Sequence, residues 1–587
     1  MTRQIRTPLL LAIALLVSSS PIRAQEAANP LRLLPDNTVF MLKVEQPRKL
    51  IDLGLNLASM KELQGFSNYR EFLNSTNFRR FQQFVAYFEK QMGYPWPELV
   101  DQLAGNGAVL AVFDAFQEKR QAAAMFVLQG KDEQVVQKYF KLAVEMLEQE
   151  LARQEATDGI KKLEHRGVQV TKIGPEFQAC VIGSTIVASN RENGLNSAID
   201  AYLDKKPVST DLQAKTAEAR KLVPANSLLW AYAGLGQVKE QPGFKNIYDL
   251  PSIFPPFHVV FGGFGDVVRR SPYLAAALAE DERGVYVTIR MPKGRNGMSE
   301  VDSAHAPPPM EPGVRPLLEP KGTLFTTSFY LDLYGLLWEH RDKLYPPEPS
   351  DLSLPKVQEF DKKAATFLFG KRPSQLLQYA GTRHRIVVAR QFDSGYKVNA
   401  TPPVPSFAWV MEMRDPDQFA KTVEPIIRAV GLLAGFGADM KLAETHRGEH
   451  KLIGYRFTES EKNMAINNGV VFNFSPCFVR VGNQMIFSST QELAHNLIDV
   501  VSKEENTTSS EGLAMRSRFS WTGLALALEA NREGLITSSM LQEGSTREEA
   551  KKQVDLTFAF LDKLGAIESN TRYEPEQYQV ELRFLSK

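Results

Sequence analysis

The sequence predicts an α+β protein built from an internally duplicated unit, with antiparallel sheets and packed amphipathic helices, and three recurrences carry that prediction. An apolar residue and a proline open an alternating apolar run at Leu34-Pro35, at Val223-Pro224 and at Leu318-Glu319-Pro320. A proline leads to a glycine eight residues on, at Pro97 to Gly105 and at Pro373 to Gly381, and each time two strand-like runs and a helix follow. A hairpin glycine, Gly183 or Gly482, precedes an aspartate by seventeen residues, Asp200 or Asp499. Internal similarity is settled first, because missing it misreads the whole fold.

Thr38 to Val44 alternates, which predicts a strand with one buried face. Leu50, Leu53 and Leu57 recur at helical spacing within Lys49 to Met60, although Gly54 weakens that helix. Asn77 to Gln91 gathers Phe78, Phe81, Phe84, Val85 and Phe88 into an aromatic stripe, read first as core or domain interface and second as the wall of an apolar ligand groove. Strands at Ala108 to Phe113 and Ala123 to Leu128 lead to a helix over Glu133 to Glu148; Arg385 to Ala389 and Phe407 to Met413 lead to one over Asp417 to Leu433. After the Gly183 and Gly482 hairpins, Ser189 and Ser488 stand where helix-capping hydroxyls are expected. Gly284 matches Gly534 at an offset of 250 where the preceding landmark gives 299, so the second copy is expected to lack about 49 residues around Pro224. A helix over Arg547 to Leu564 and an alternating strand, Tyr578 to Phe584, close the chain. Short strands joined by hairpins favour antiparallel sheets over a doubly wound parallel one.

Arg3 and Arg6 precede an apolar run from Pro8 to Val17 and a small-residue exit ending at Ala24, so residues 1–24 read as a signal peptide. That run is shorter than the roughly 20 residues a membrane-spanning helix needs, and no later span replaces it. The expected mature chain begins near Gln25 and is soluble in the periplasm or an equivalent envelope space, with no transmembrane segment. Residues 28–300 form the expected first unit, 301–316 a Pro-rich linker containing Pro307-Pro308-Pro309, and 317–587 a second, shorter unit.

The chain has 69 basic and 68 acidic residues; removing Arg3, Arg6 and Arg23 with the signal leaves 66 against 68. That balance supplies no electrostatic footprint for nucleic acid. Two cysteines do not make a disulfide-built scaffold. Cys180 and Cys477 lie three and five residues ahead of the paired glycines among apolar neighbours. They read as buried free thiols; one bridge across a pseudo-twofold is the alternative, which the unequal spacing opposes.

Of eight histidines only His446 and His450 stand i,i+4 apart, with Gly448 between them, which describes a polar turn better than a metal site. There is no Gly-x-Ser-x-Gly elbow and no His-Glu-x-x-His. Gly262-Gly263-Phe264-Gly265 lacks the phosphate-loop spacing and its Lys-Ser/Thr. Asp200 and Asp499 read as solvated carboxylates late in helices. No catalytic, cofactor-binding or metal-ligating residue is therefore assigned, and no cofactor. The expected function is a non-enzymatic envelope protein, a binding or structural scaffold, whose partner is an envelope protein or a hydrophobic ligand. A carrier of a lipid or other hydrophobic ligand, and an envelope hydrolase without a recognisable motif, are the alternatives.

Leu33 to Glu45, with Pro47 to Asp52 and Gly65 to Leu73, resembles a family of large exported proteins of unknown function from planctomycete bacteria. The resemblance extends through Phe257 to Gly263, Leu317 to Leu333 and Asn473 to Ser489. The chain is more loosely similar to a wider uncharacterised bacterial family whose exported domain opens on a Leu-Pro-x-x-Thr strand entry. Both resemblances imply export and an α+β build, and neither brings an active residue.

Overall fold

The computed structural model describes residues 29–56, 63–115, 122–153, 159–175, 177–241, 244, 255–345, 352–366, 368–398, 400–504 and 512–585. The expected signal peptide, residues 1–24, lies outside them. The chain divides into two units, residues 1–244 with 271–292, and residues 245–270 with 293–587.

The first unit contains strands β1 (Thr38–Val44), β2 (Ala108–Phe113), β3 (Ala123–Gln129), β4 (Ile160–His165), β5 (Val168–Ile173), β6 (Phe177–Ile182), β7 (Thr185–Ser189), β8 (Leu229–Gly234), β9 (Tyr273–Asp281) and β10 (Gly284–Met291). They pair in the order β10-β9-β8-β1-β2-β3-β7-β6-β5-β4, every neighbour antiparallel. The helices Glu192–Leu203 and Thr210–Leu222 close one face of this sheet over Met41, Val109, Met125, Val127 and Trp230. On β3 and β7 the opposite face meets the helices Thr76–Met92, Trp96–Ala104 and Glu133–Arg153 through Phe88, Leu103, Leu128, Val136 and Ile186.

The second unit contains β11 (Thr323–Tyr330), β12 (Ala380–Ala389), β13 (Ser406–Met413), β14 (Met440–Arg447), β15 (His450–Phe457), β16 (Cys477–Val481), β17 (Gln484–Ser488), β18 (Leu513–Ser520), β19 (Ala566–Tyr573) and β20 (Tyr578–Leu585). Their order is β20-β19-β18-β11-β12-β13-β17-β16-β15-β14, again antiparallel throughout. The helix Gln491–Val501 covers one face with Leu493, Leu497 and Ile498 against Val387, Val410 and Ile486. The helix Pro416–Ala438 covers part of the other through Phe419 and Val423, against Met411, Phe478 and Met485.

The proline entries have one local cause. Thr38, Ser227 and Thr323 each donate their hydroxyl to the carbonyl of the proline three residues earlier, all at 2.6 Å, which satisfies a turn carbonyl before the ladder begins. Pro35 and Pro320 enter the central strands β1 and β11, whereas Pro224 enters β8.

The Gly284 to Gly534 match fails: Gly284 opens β10 with φ of 113°, whereas Gly534 lies inside the helix Arg532–Glu543. β8 has a counterpart in strand order, β18. What differs is the approach to it, residues 204–228 with the helix Thr210–Leu222 and the Pro224 turn in the first unit, against residues 502–512 in the second.

Residues 301–316 pack into the second unit, where Val301, Ala304, Ala306 and Val314 are buried. Arg383 donates to Gly313 O at 3.0 Å and Arg385 to Pro316 O at 3.2 Å. Proline and glycine there signal irregular backbone, whose carbonyls the arginines of β12 satisfy.

Arg385 is 1% exposed on β12; it pairs with Glu504 at 2.6 Å and donates to Gln484. Arg315 and Arg383 bind Glu412 at 2.8 and 3.2 Å, completing the cluster. Removing one partner of a buried pair leaves the other charge uncompensated. Arg385→Ala is therefore expected to destabilise the second unit by about 3–5 kcal/mol, measured by urea unfolding.

Candidate functional surface

The residues considered for chemistry have structural employment. His446 and His450 lie on either side of the β14–β15 turn rather than on a helix. Among the described residues no group of three or more His, Cys, Asp or Glu is placed to hold a metal ion. Ser189 donates to Ala124 O at 2.9 Å and Ser488 to Thr490 O at 2.8 Å. The helix after Ser488 is capped by Thr490, whose hydroxyl accepts from Leu493 N, so the cap lies two residues beyond the serine.

Asp200 and Asp499 each tie a helix to the turn of a hairpin. Asp200 meets His165 at 2.9 Å and Arg166 at 3.1 Å; Asp499 meets Arg447 at 2.6 Å. The hydrogen bond and charge of Arg447 hold the Asp499 carboxyl below its ordinary value. At Asp200 burial opposes ionisation, and the bonds from His165 and Arg166 outweigh it.

The arrangement nearest to a catalytic one joins Ser299, Asp302 and His258. The Ser299 hydroxyl donates to Asp302 Oδ2 at 2.6 Å, and His258 Nε2 lies 3.0 Å from Asp302 Oδ1. A hydrolytic triad needs the imidazole between carboxylate and hydroxyl; here the carboxylate lies between the other two. Arg269 completes the set at 3.0 Å from Asp302, so this is an anchor for the helix Pro255–Arg270.

Two polar clefts open in the second unit. One of about 430 Å³ is rimmed by Glu424, Glu449, Lys451 and Arg480 over Phe478 and Met485. The other, about 180 Å³, adjoins the π-helical turn Gly335–Glu339, with Arg295, Asp332 and His340 on its walls. Arg480 is held by Asp417 at 2.6 Å and Asp332 by Arg414 at 2.9 Å, so these charges stabilise their surroundings.

The distinctive surface is apolar. An antiparallel sheet with one solvated face ordinarily alternates apolar and polar residues, but the less covered face of the first sheet is apolar as well. Ala276, Ala231, Leu42, Leu110 and Phe126 stand opposite one another across β9, β8, β1, β2 and β3. Leu110 is 41% exposed, Phe40 on the same face 36%, and the others in that row are half-buried. In the second unit a ladder of rings crosses β11, β12, β13, β17 and β16: Phe329, His384, Trp409, Phe487 and Phe478, with successive centroids 5.3, 5.8, 5.7 and 6.4 Å apart. Aromatic pairs at such spacing contribute about 0.5–1.5 kcal/mol each beyond the area they bury. Beside the ladder, Phe407 is 55% and Met515 37% exposed, as is Trp409 within it.

His384 shows how apolar that ladder is. It is buried, its Nε2–H donates to Leu331 O at 3.0 Å, and its Nδ1 has no hydrogen-bond partner among the described residues. Burial pushes its pKa down to about 4, so the ring is neutral in the folded protein. A lowered histidine pKa means that the unfolded chain binds the extra proton first. Stability should fall as pH drops from about 6.5 to 4, by up to roughly 1.4 kcal/mol per pH unit from this group. Urea titrations across that window should show a shallower loss for His384→Phe than for the parent.

The aromatic stripe divides. Phe84 and Phe88 join the core with Tyr139, while Phe78 and Phe81 remain half-buried near Phe72. The sheet-face ladder was not picked out from the sequence, though β13, Ser406–Met413, shows the signal: Phe407 and Trp409 on one side, Ala408 and Val410 on the other.

Comparison with family models and with curated proteins finds no match. Among solved structures, crystal forms I, III and IV of TP0453 are similar with TM-scores of 0.23, 0.22 and 0.23 at 10%, 9% and 9% identity. These cover 46%, 46% and 45% of this chain and 80%, 81% and 80% of those chains.

Cys180 and Cys477 are buried free thiols, both pushed up to about 12 by burial. Thiol reagent should therefore label neither in the folded protein and both after unfolding without reductant. Recovery of no free thiol from the unfolded chain would contradict this.

Proposed function

We propose that this is an exported, non-enzymatic envelope protein that binds a hydrophobic ligand on the open faces of its two sheets. The observation that carries the proposal is the apolar second face of each sheet, with Phe40 and Leu110 in the first unit and Phe407 and Trp409 in the second exposed to solvent. Water-exposed apolar residues gathered on one face mark a surface that something covers. Export is supported by the signal-like residues 1–24 and by the resemblance to planctomycete exported proteins. No helix among the described residues is long and apolar enough to cross a membrane.

Duplication of one ancestral unit accounts for the two faces. It is supported by the matching strand orders and by the register shift at the start of both central strands, between Thr38 and Phe40 and between Thr323 and Phe325. The hairpin glycines Gly183 and Gly482, at φ of 57° and 59°, support it too. A crystal structure whose two sheets fail to superpose with Gly183 on Gly482 would overturn it.

A fluorescent fatty-acid analogue should bind the purified protein, and native mass spectrometry of material from its own envelope should show bound apolar mass. Leu110→Lys and Trp409→Lys place a charge on each face at positions already partly exposed, so the variants should fold while losing roughly tenfold or more in affinity for the analogue. Saturable binding that neither variant weakens, or no binding by the parent, would refute the proposal.

A further inference from the structure

The helix Pro255–Arg270 has its polarity inverted. Its inward positions are His258, Gly262, Gly263, Asp266 and Val267; alongside the buried Val267, the polar His258 and Asp266 are only 8% and 5% exposed. Its outward positions are Val260, Phe261 and Phe264, at 66%, 48% and 43%, with one side of the Phe264 ring 5.9 Å from the buried Tyr578 ring. A surface helix ordinarily turns its apolar stripe to the core and its charges to water.

The inversion is locked. On the inner side His258 meets Asp302 at 3.0 Å, Arg269 meets Asp302 at 3.0 Å, and Arg270 meets Asp266 at 2.6 Å. Gly263 allows a close approach there, since a Cβ on it would lie 2.6 Å from both the Tyr573 hydroxyl and the His305 Cβ. Rotating the helix to bury its phenylalanines would break both contacts to Asp302 and drive side chains into that wall.

We infer that the outer face of the helix Pro255–Arg270 seats the protein on a lipid bilayer surface. The face has no charge and no hydrogen-bonding side chain, and Leu250 to Gly265 contains no charged residue, so the complementary surface is apolar. A second copy is a poor occupant. Sixteen helical residues make a strip about 24 Å long and 10 Å wide, on the order of 240 Å², against roughly 800 Å² per partner in a stable protein interface. Reversible seating in the headgroup boundary needs only a few such side chains. Because Arg269 and Arg270 are engaged by Asp302 and Asp266, apolar insertion, not attraction to anionic lipid, drives the seating.

Flotation with phosphatidylcholine vesicles tests this in the full chain. The protein should float with vesicles equally at low and high salt. Val260→Glu should float roughly tenfold less, and the emission of Phe264→Trp should shift to the blue when vesicles are added. Val260→Glu should leave binding of the fatty-acid analogue unchanged, because Val260 is not on either sheet. Failure of the vesicle experiment thus leaves the sheet-face proposal standing, and failure of the analogue experiment leaves this one standing. No flotation of the parent, equal flotation of Val260→Glu, or an unmoved Phe264→Trp emission would overturn the inference. A concentration-dependent dimer that Val260→Glu dissolves would assign the face to a second copy and overturn it as well.

Discussion

Each sheet depends on a central strand held between partners distant in sequence. Leu42 of β1 stands opposite Leu110 on one side and Ala231 on the other, and Thr327 of β11 stands between Ile386 and Ser517. Closing such loops costs entropy that grows only logarithmically with length, so the helices and hairpins between these strands are tolerated once the ladder forms. The cost is offset where the central strand buries one side fully. Met41, Ala111, Met125 and Trp230 do this in the first unit, against the helices that follow β7.

With one face committed to that core, the chemistry of the other becomes informative. Alternation would place polar residues there, yet Leu42, Leu110 and Phe126 in the first unit and Phe329, Trp409 and Phe487 in the second stand on the less covered side. Polar residues are instead drawn inward in the second unit: Arg385 with Glu504 beneath the sheet, Asp302 with His258 beneath a helix, and Asp361 accepting from Ser374 N at 2.8 Å beside the 66% exposed Phe360. Burying charge is costly unless it is paired and hydrogen-bonded, and these groups are. An arrangement that accepts that cost while leaving Val260 and Phe360 each 66% exposed is explained more simply by external apolar contact than by folding alone.

The sequence was legible where one local interaction fixes one residue type. Prolines entering β1 and β11 and glycines turning the β6–β7 and β16–β17 hairpins are such cases, and the α+β antiparallel build followed from them. Asp200 and Asp499 were visible as a recurrence without a reason, because their partners Arg166 and Arg447 lie on hairpins dozens of residues upstream. Gly534 misled because a glycine after a charged run looks alike at a hairpin and inside a helix. Residues 301–316 misled because composition reports backbone irregularity, whereas burial depends on Arg383 and Arg385 reaching back to their carbonyls. The ring ladder escaped because each strand supplies only one or two of its members, and only the pairing register brings them into line.

The two units also differ at one decisive place. In register with the central strands, Val109 of β2 and Arg385 of β12 occupy matching positions, Val109 opposite Lys43 and Arg385 opposite Ser328. The first unit fills that position with a core valine; the second fills it with a guanidinium that binds Glu504 and the carbonyl of Pro316. The exchange trades non-directional packing for directional bonds, which hold an irregular segment in one place as packing alone would not. The charge is thereby confined to the face under the helix Gln491–Val501, and the polar groups beside the aromatic ladder on the other side, the buried His384 and the paired hydroxyls of Thr327 and Ser517, carry none. A ligand on that open face would therefore be held by shape and dispersion, and its affinity should be nearly independent of salt, in contrast to any ligand drawn to the charged rims of the polar clefts.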